Sequence, residues 1–500
     1  MSKIKTEPLT LSTLQFAKSL WWALAAAGMG YALLFVIIAL LRSKYPFELE
    51  WMEGAIVDHV RRVTAGLPVY VRPSIDFIPF IYAPIYYYVS AVASAILGEG
   101  FLPLRVVSLV STLANFGLIF LLIRRETKET VYGLIGVGLF AASYRVCGAW
   151  FDLARVDSLA LLLVLCAAFV LRGGQSTNRL ITAGILFAIA CLTKQSSLLV
   201  GITLGMYLSY SIRWKALWYI ASFGIAMLLG NFLFNALTDG WFNYYVYELP
   251  SHHTLDLPVL IDFWSVDILA KLPVALAGGL AFCWLARGDS GRNSIWFWAA
   301  FLLGSLISSW STRVFAGGFE NALIPLSAAL AILSGLLLHR VTMLFQTHRP
   351  DYARPILLGI AIAISIQFYL FSYNPVAQLP TEADRTYGKL FIDRIAEVKG
   401  DILLPSHGYL PVLAGKKSCA HKMALAEIQA GDSAMCSALD KEIIPQIESR
   451  KYAAIILNAE WFTESVTRNY RNVGDPFPDR TMFYPVTGLE TRAHYWFVPR

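Results

Sequence analysis

The chain has 500 residues, 57% of them hydrophobic and 15% charged, with a mean hydropathy of +0.56. That composition excludes a string of soluble domains and places most of the chain in a bilayer. The formal charge is +7, but acids and bases balance from Asn374 onward, so the basic surplus lies in the first 373 residues. There it reads as membrane topology and excludes a nucleic-acid surface.

Residues 1–19 carry Lys3, Lys5 and Lys18 ahead of an apolar run at 20–41 that is too long for a signal-peptide core. The run is expected to be an uncleaved anchor with a cytoplasmic N-terminus. Further apolar stretches at 104–123, 131–149, 159–171, 180–193, 196–212, 216–237, 266–286, 294–310, 321–338 and 355–373 bring the expected spans to eleven. With the N-terminus inside, the joints at 124–128, 172–179, 213–215, 287–292 and 339–354 face the cytoplasm, and each carries more base than acid. Phe77 to Leu97 is long enough to span, but a span there would turn every basic joint outward. It is therefore expected to be a re-entrant or interface-lying hairpin inside a first outer loop at 42–103, with a twelve-span chain as the alternative.

The expected fold is a polytopic α-helical membrane domain, 20–373, followed by a small extracytoplasmic α/β domain, 374–500. In that tail Asp401–Pro405 and Tyr452–Leu457 have strand patterning, and Arg385–Val398 and Ile443–Arg450 have helical spacing. Cys419 and Cys436 also lie there and are expected to form a disulfide in an oxidising compartment. The chain has no Asn-x-Ser/Thr sequon, in keeping with a bacterial inner membrane and a periplasmic tail.

The candidate chemistry falls on the outward joints. Glu48, Glu50, Glu53 and Asp58 crowd one short stretch beside the bilayer, an arrangement that costs free energy and suits either a stabilised helix N-terminus or a general base. Asp157 can cap the helix that follows it or belong to a site. Arg155, Lys194 and Arg313 are cations close to the hydrocarbon boundary, and such groups seek an anionic partner such as a phosphate. His252 and His253 sit in a long outer loop suited to covering an acceptor, and two adjacent histidines do not by themselves make a metal site. Asp267 and Lys271 have the i,i+4 spacing of a structural pair.

Glu53-Gly54 ahead of Gly66, the segment Tyr82-Ala83-Pro84-Ile85-Tyr86-Tyr87-Tyr88, Ala154-Arg155-Val156-Asp157 and Leu192-Thr193-Lys194 occur in that order. The ordered set, spanning roughly residues 15–340, resembles the GT-C class of membrane glycosyltransferases, in particular the branch of the protein O-mannosyltransferases and the lipid A aminoarabinose transferase. The resemblance implies an acid in the first outer loop as catalytic base, carried here by Glu53 or by Glu50 one turn earlier. It implies Asp157 as a second acid. The family often has Lys-Pro-Pro where this chain has Tyr82-Ala83-Pro84, so Arg72, Arg155, Lys194 or Arg313 is left to hold the phosphate.

The activity so implied is transfer of a sugar from a polyprenyl-phosphate-linked donor to an extracytoplasmic lipid, glycan or protein acceptor, with no cofactor expected and no metal indicated. A lipid-linked glycan polymerase or ligase is the nearest alternative. A transporter or flippase would more often show internal repeats and broken helices, which the sequence lacks.

Overall fold

The computed structural model describes residues 11–285, 292–348, 350–479 and 482–500. Lys3, Lys5 and the basic joint at 287–291 lie outside the described residues. Each of the eleven apolar stretches overlaps a helix: α1 (Leu11–Ser43), α4 (Phe101–Thr127), α5 (Thr130–Ala142), α6 (Asp157–Arg172), α7 (Thr177–Cys191), α8 (Ser197–Ile212), α9 (Leu217–Ala236), then Pro273–Leu285, Arg292–Arg313, Ile324–His348 and Pro350–Leu370; the stretch 131–149 leaves its helix at Ala142 for a turn. Between α1 and α4 lie two shorter helices, α2 (Glu53–Thr64) and α3 (Ile85–Leu97).

Among the described residues, six helical stretches are long and apolar enough to cross a membrane, and the pair Leu257–Ala270 and Pro273–Leu285, bent by 87°, adds a seventh if it is one span. The longest stretch, Ser197–Ala236, folds back at Arg213, whose φ is +52°. Its two legs run antiparallel: Tyr219 Oη donates to the Gly201 carbonyl at 2.8 Å, and Gly205 faces the Tyr219 ring. The 13 residues of α3 rise only about 20 Å, less than the ~30 Å hydrocarbon core, and α3 packs between α2 and α4. α5, at 13 residues, and α7, at 15, are of similar length.

Helices meet closely where side chains vanish. A Cβ on Gly28 of α1 would stand 2.8 Å from Gly138 Cα of α5, so these backbones touch. The end of α1 is held by charge: buried Arg42 donates through Nε and Nη2 to Asp152 at 2.7 and 2.5 Å.

The tail forms a four-stranded sheet in the order β1 (Ile402–Leu403), β2 (Ala454–Leu457), β4 (Tyr495–Pro499), β3 (Tyr470–Asn472). β1 and β2 are parallel, pairing Ile402 with Ala454, and β4 runs antiparallel to both neighbours. The helix Glu382–Glu397 opens with a Thr381/Asp384 capping box. Both predicted strands and both predicted helices are present. β3 and β4, which carry no clean alternation, are not foreseen. The expected disulfide is not formed: Cys419 and Cys436 are both free thiols, the first in an irregular segment before helix Lys422–Gly431 and the second on the next helix, Ser433–Glu448.

Candidate active site

A cavity of about 620 Å³ opens where the helix bundle meets the tail. It draws lining residues from 50–52, 80–82, 150–155, 194–196, 246–253, 311–321, 423–427 and 488–490. The joints read from sequence as outward thus converge at one end of the bundle, and the tail supplies the roof.

Glu50 belongs to the irregular turn before α2 and lines this cavity, although only 1% of it is exposed. Its Oε2 faces Arg155 Nη1 at 3.4 Å. Burial pushes the Glu50 carboxyl up to about 7, because removing a carboxylate from water outweighs the attraction of Arg155. Such a group is poised to exchange a proton near neutrality.

Glu53 is placed quite differently. It does not line the cavity. Its carboxylate accepts from the Leu49 and Ala154 amides, each at 2.8 Å, and from Arg105 Nε at 3.1 Å and Nη2 at 2.6 Å. Those four bonds use the lone pairs that proton abstraction would need. Burial would raise the Glu53 carboxyl, but Arg105 and the two amides together hold it below its ordinary range. Glu53 is therefore a clamp joining α2, α4 and the 149–156 turn, and the expectation that it is the base passes to Glu50.

Arg155 is the central cation. Its Nη2 donates to Tyr82 Oη at 2.6 Å, and its guanidinium stacks over Trp150, 4.6 Å from the ring centre. Tyr82, standing where the family often has lysine, thus orients an arginine. Asp157, at the first turn of α6, receives Lys194 Nζ at 2.6 Å and Asn321 Nδ2 at 2.9 Å. It makes no side-chain cap bond, so the capping reading falls away and it acts as the counter-charge that fixes Lys194 on the cavity wall.

Arg313 and Arg72 are not in the site. Arg313 donates to Asp267 at 2.9 Å and to the Gly318 carbonyl at 2.9 Å, so it holds the Gly317-Gly318 turn that lines the cavity. Arg72 is exposed on the first loop and does not line this cavity. Lys271 pairs with Asp267 at 3.1 Å, as the spacing predicts, and also with Glu320 at 2.9 Å. His252 is exposed, whereas His253 lines the cavity and bonds through Nε2 to Glu427 of the tail.

Several site residues give no usable signal in the sequence. Arg105 does: an arginine inside an apolar helix asks for a buried acid, and that acid is Glu53. Glu427, Trp150 and Gly488 do not stand out. Among the described residues, no three His, Cys, Asp or Glu side chains converge as a metal-holding group.

Solved structures share the fold. ArnT from Cupriavidus metallidurans bound to undecaprenyl phosphate is 13% identical, with a TM-score of 0.57 over 94% of this chain and 98% of that one. Its apo form gives 14% and 0.59 over the same shares. The archaeal oligosaccharyltransferase AglB from Archaeoglobus fulgidus, in complex with an inhibitory peptide and a dolichol-phosphate, gives 11% and 0.52 over 89% and 70%. The chain has the fold of ArnT. Within it, residues 82–234 match the family model for dolichyl-phosphate-mannose-protein mannosyltransferase. No curated protein sequence matches. The matched stretch contains Tyr82, Arg155, Asp157 and Lys194, but not Glu48, Glu50, Glu53 or Asp58, nor the tail.

Proposed function

We propose that this protein transfers a sugar from a polyprenyl-phosphate donor to an acceptor on the extracytoplasmic face of a bacterial inner membrane, with residues 374–500 as a periplasmic domain. The observation that carries this reading is the confrontation of Glu50 with Arg155, beside Lys194, in one half-enclosed cavity. Glu50 takes the proton from the acceptor nucleophile. The nucleophile attacks the anomeric carbon in line, and the bond from that carbon to the phosphate oxygen breaks with inversion. Arg155 and Lys194 face the charge that grows on the departing lipid phosphate, where fixed cations in a poorly hydrated pocket are most effective. The donor's phosphate sits at these two cations and its prenyl tail runs out toward the bilayer. Membrane lipids surround that tail.

The test is release of free polyprenyl phosphate from a panel of polyprenyl-phosphate sugars by the protein in nanodiscs, with an envelope extract as acceptor source. Release confined to one donor, and lost in Glu50→Gln, is the expected result. Release solely from pyrophosphate-linked glycans would replace this reading with that of a glycan polymerase or ligase. No release from any donor by folded protein would overturn it.

A further inference from the structure

The two ends of the cavity differ in charge. At the bundle end stand Arg155 and Lys194, facing Glu50 and Asp157. At the tail end stand Glu427, bonded to His253, and exposed Glu490, which follows Gly488 and Leu489 into the mouth. Among the described residues, no Lys or Arg other than Arg155 and Lys194 lines the cavity. A donor phosphodiester brings one negative charge to those two cations, which two carboxylates already share. An acceptor with a phosphate of its own near the transfer point would meet Glu490 and Glu427, and His253, the one further group there able to carry positive charge, is already engaged by Glu427.

We propose that the His253–Glu427 pair forms the acceptor subsite and that the acceptor is an uncharged, hydroxyl-bearing glycan rather than a phosphorylated one. This rests on the glycosyltransferase reading given above. The pair suits that ligand. His253 comes from the outer loop and Glu427 from the tail helix Lys422–Gly431, so the two close the seam across which an acceptor must enter. Between them they present a ring nitrogen and a carboxylate, a donor and an acceptor set side by side, which neighbouring sugar hydroxyls satisfy together. Aromatic and apolar neighbours, Trp51, Phe315 and Met423, supply the flat surfaces on which a sugar ring packs. The seam is built rather than accidental. Tyr244 Oη donates to Asp432 at 3.0 Å on the same tail helix end, and a Cβ on Gly431 would strike Leu249 at 2.8 Å.

The experiment uses the full chain in nanodiscs with two probes, a neutral oligosaccharide mixture and the same mixture after phosphorylation. Transfer to the neutral mixture is expected to exceed transfer to the phosphorylated one by at least about tenfold. Glu427→Gln and His253→Asn are each expected to raise the acceptor KM about tenfold, the size of one lost charge-assisted hydrogen bond, with no matching rise in the donor KM. Glu490→Lys, an exposed change that the fold tolerates, is expected to narrow the gap between the two probes. Preference of the wild type for the phosphorylated mixture overturns the inference, as does an acceptor KM unmoved in both Glu427→Gln and His253→Asn. Equilibrium binding of the two probes needs no turnover. If no donor is cleaved, the glycosyltransferase reading has failed, and tighter binding of the phosphorylated probe would then overturn the charge argument separately.

Discussion

Glu50 and Glu53 are three residues apart, one in the turn before α2 and one at its first position, and the surroundings of each carboxylate assign them opposite tasks. Replacing Glu53 by Gln leaves the buried Arg105 guanidinium, 1% exposed, without its anion. Breaking a buried pair in that way costs about 3–5 kcal/mol, so Glu53→Gln is expected to lower the Tm by many degrees and to reduce the yield of folded protein. Glu50→Gln removes a carboxyl that burial has already driven toward neutrality. It is expected to fold with an unchanged or slightly higher Tm and to lose about 10²–10⁴-fold in transfer rate. Equal thermal stability of the two variants, read by differential scanning fluorimetry, would refute the division of labour. The proton equilibrium gives a second measurement. A base with its carboxyl at about 7 is active when deprotonated, so kcat/KM should rise about tenfold per pH unit below 7 and level off above it. A rate flat between pH 5.5 and 7.5 would remove Glu50 from the role. The sequence shows both acids at the head of one short helix. It does not show which of them meets Arg105, because that partner lies on α4, 52 residues away from Glu53.

At the scale of elements, the turn Val486–Glu490 is the part of the tail that reaches the chemistry. Thr487 anchors it twice, its amide donating to the Leu49 carbonyl at 3.1 Å and its Oγ1 to the Gly148 carbonyl at 2.5 Å. Gly488 then passes over Glu50 with φ of +81°, and a Cβ there would lie 2.7 Å from Glu50 Cγ. Both the backbone angle and the contact require glycine. Gly488→Ala must displace the Glu50 carboxyl, and because a shift of about 1 Å at a reacting group costs on the order of 10²-fold, kcat should fall by one to two orders of magnitude. The pH at which the rate levels off should shift in the same variant, which loss of folded protein alone would not produce. A variant with normal kcat and an unmoved pH profile would show that the turn is a bystander. Apolar runs foretell the bundle helices because lipid demands them, but this turn has neither period nor composition, and its role is fixed by contacts reaching back to Leu49, Glu50 and Gly148.

The molecule as a whole is held closed by ionisable groups buried between the first outer loop and the tail. Glu48 bonds to His407 Nδ1 at 2.6 Å, Ser418 Oγ donates to Asp58 at 2.5 Å, and His421 packs 4.9 Å from the Trp51 ring centre. Gly54 allows the closest approach, since a Cβ there would strike Glu48 Oε1 and stand 2.9 Å from the Tyr409 amide. The family-like Glu-Gly pair thus doubles as a docking point for the tail, a role visible only once the tail is seated. Burial raises Asp58 to about 6 and Glu50 to about 7, while it lowers His59 to about 4 and His421 to about 3. The signs oppose each other. An acid raised by folding takes up a proton in the native state, so its contribution grows as pH falls from its native value toward about 4. A histidine lowered by folding must bind a proton on unfolding, so acidification below about 6.5 favours the unfolded chain. The two sets act in opposite directions, so the wild-type Tm should depend less steeply on pH between 7 and 5 than that of a variant lacking either set. Asp58→Asn removes one acid and leaves both histidines. Its Tm should match or exceed that of the wild type at pH 7, where the buried charge is gone, and fall below it progressively as the pH drops from 6 to 4. A difference in Tm that stays constant across that range would mean that Asp58 is solvated in the folded protein and that the seam between loop and tail is open to water.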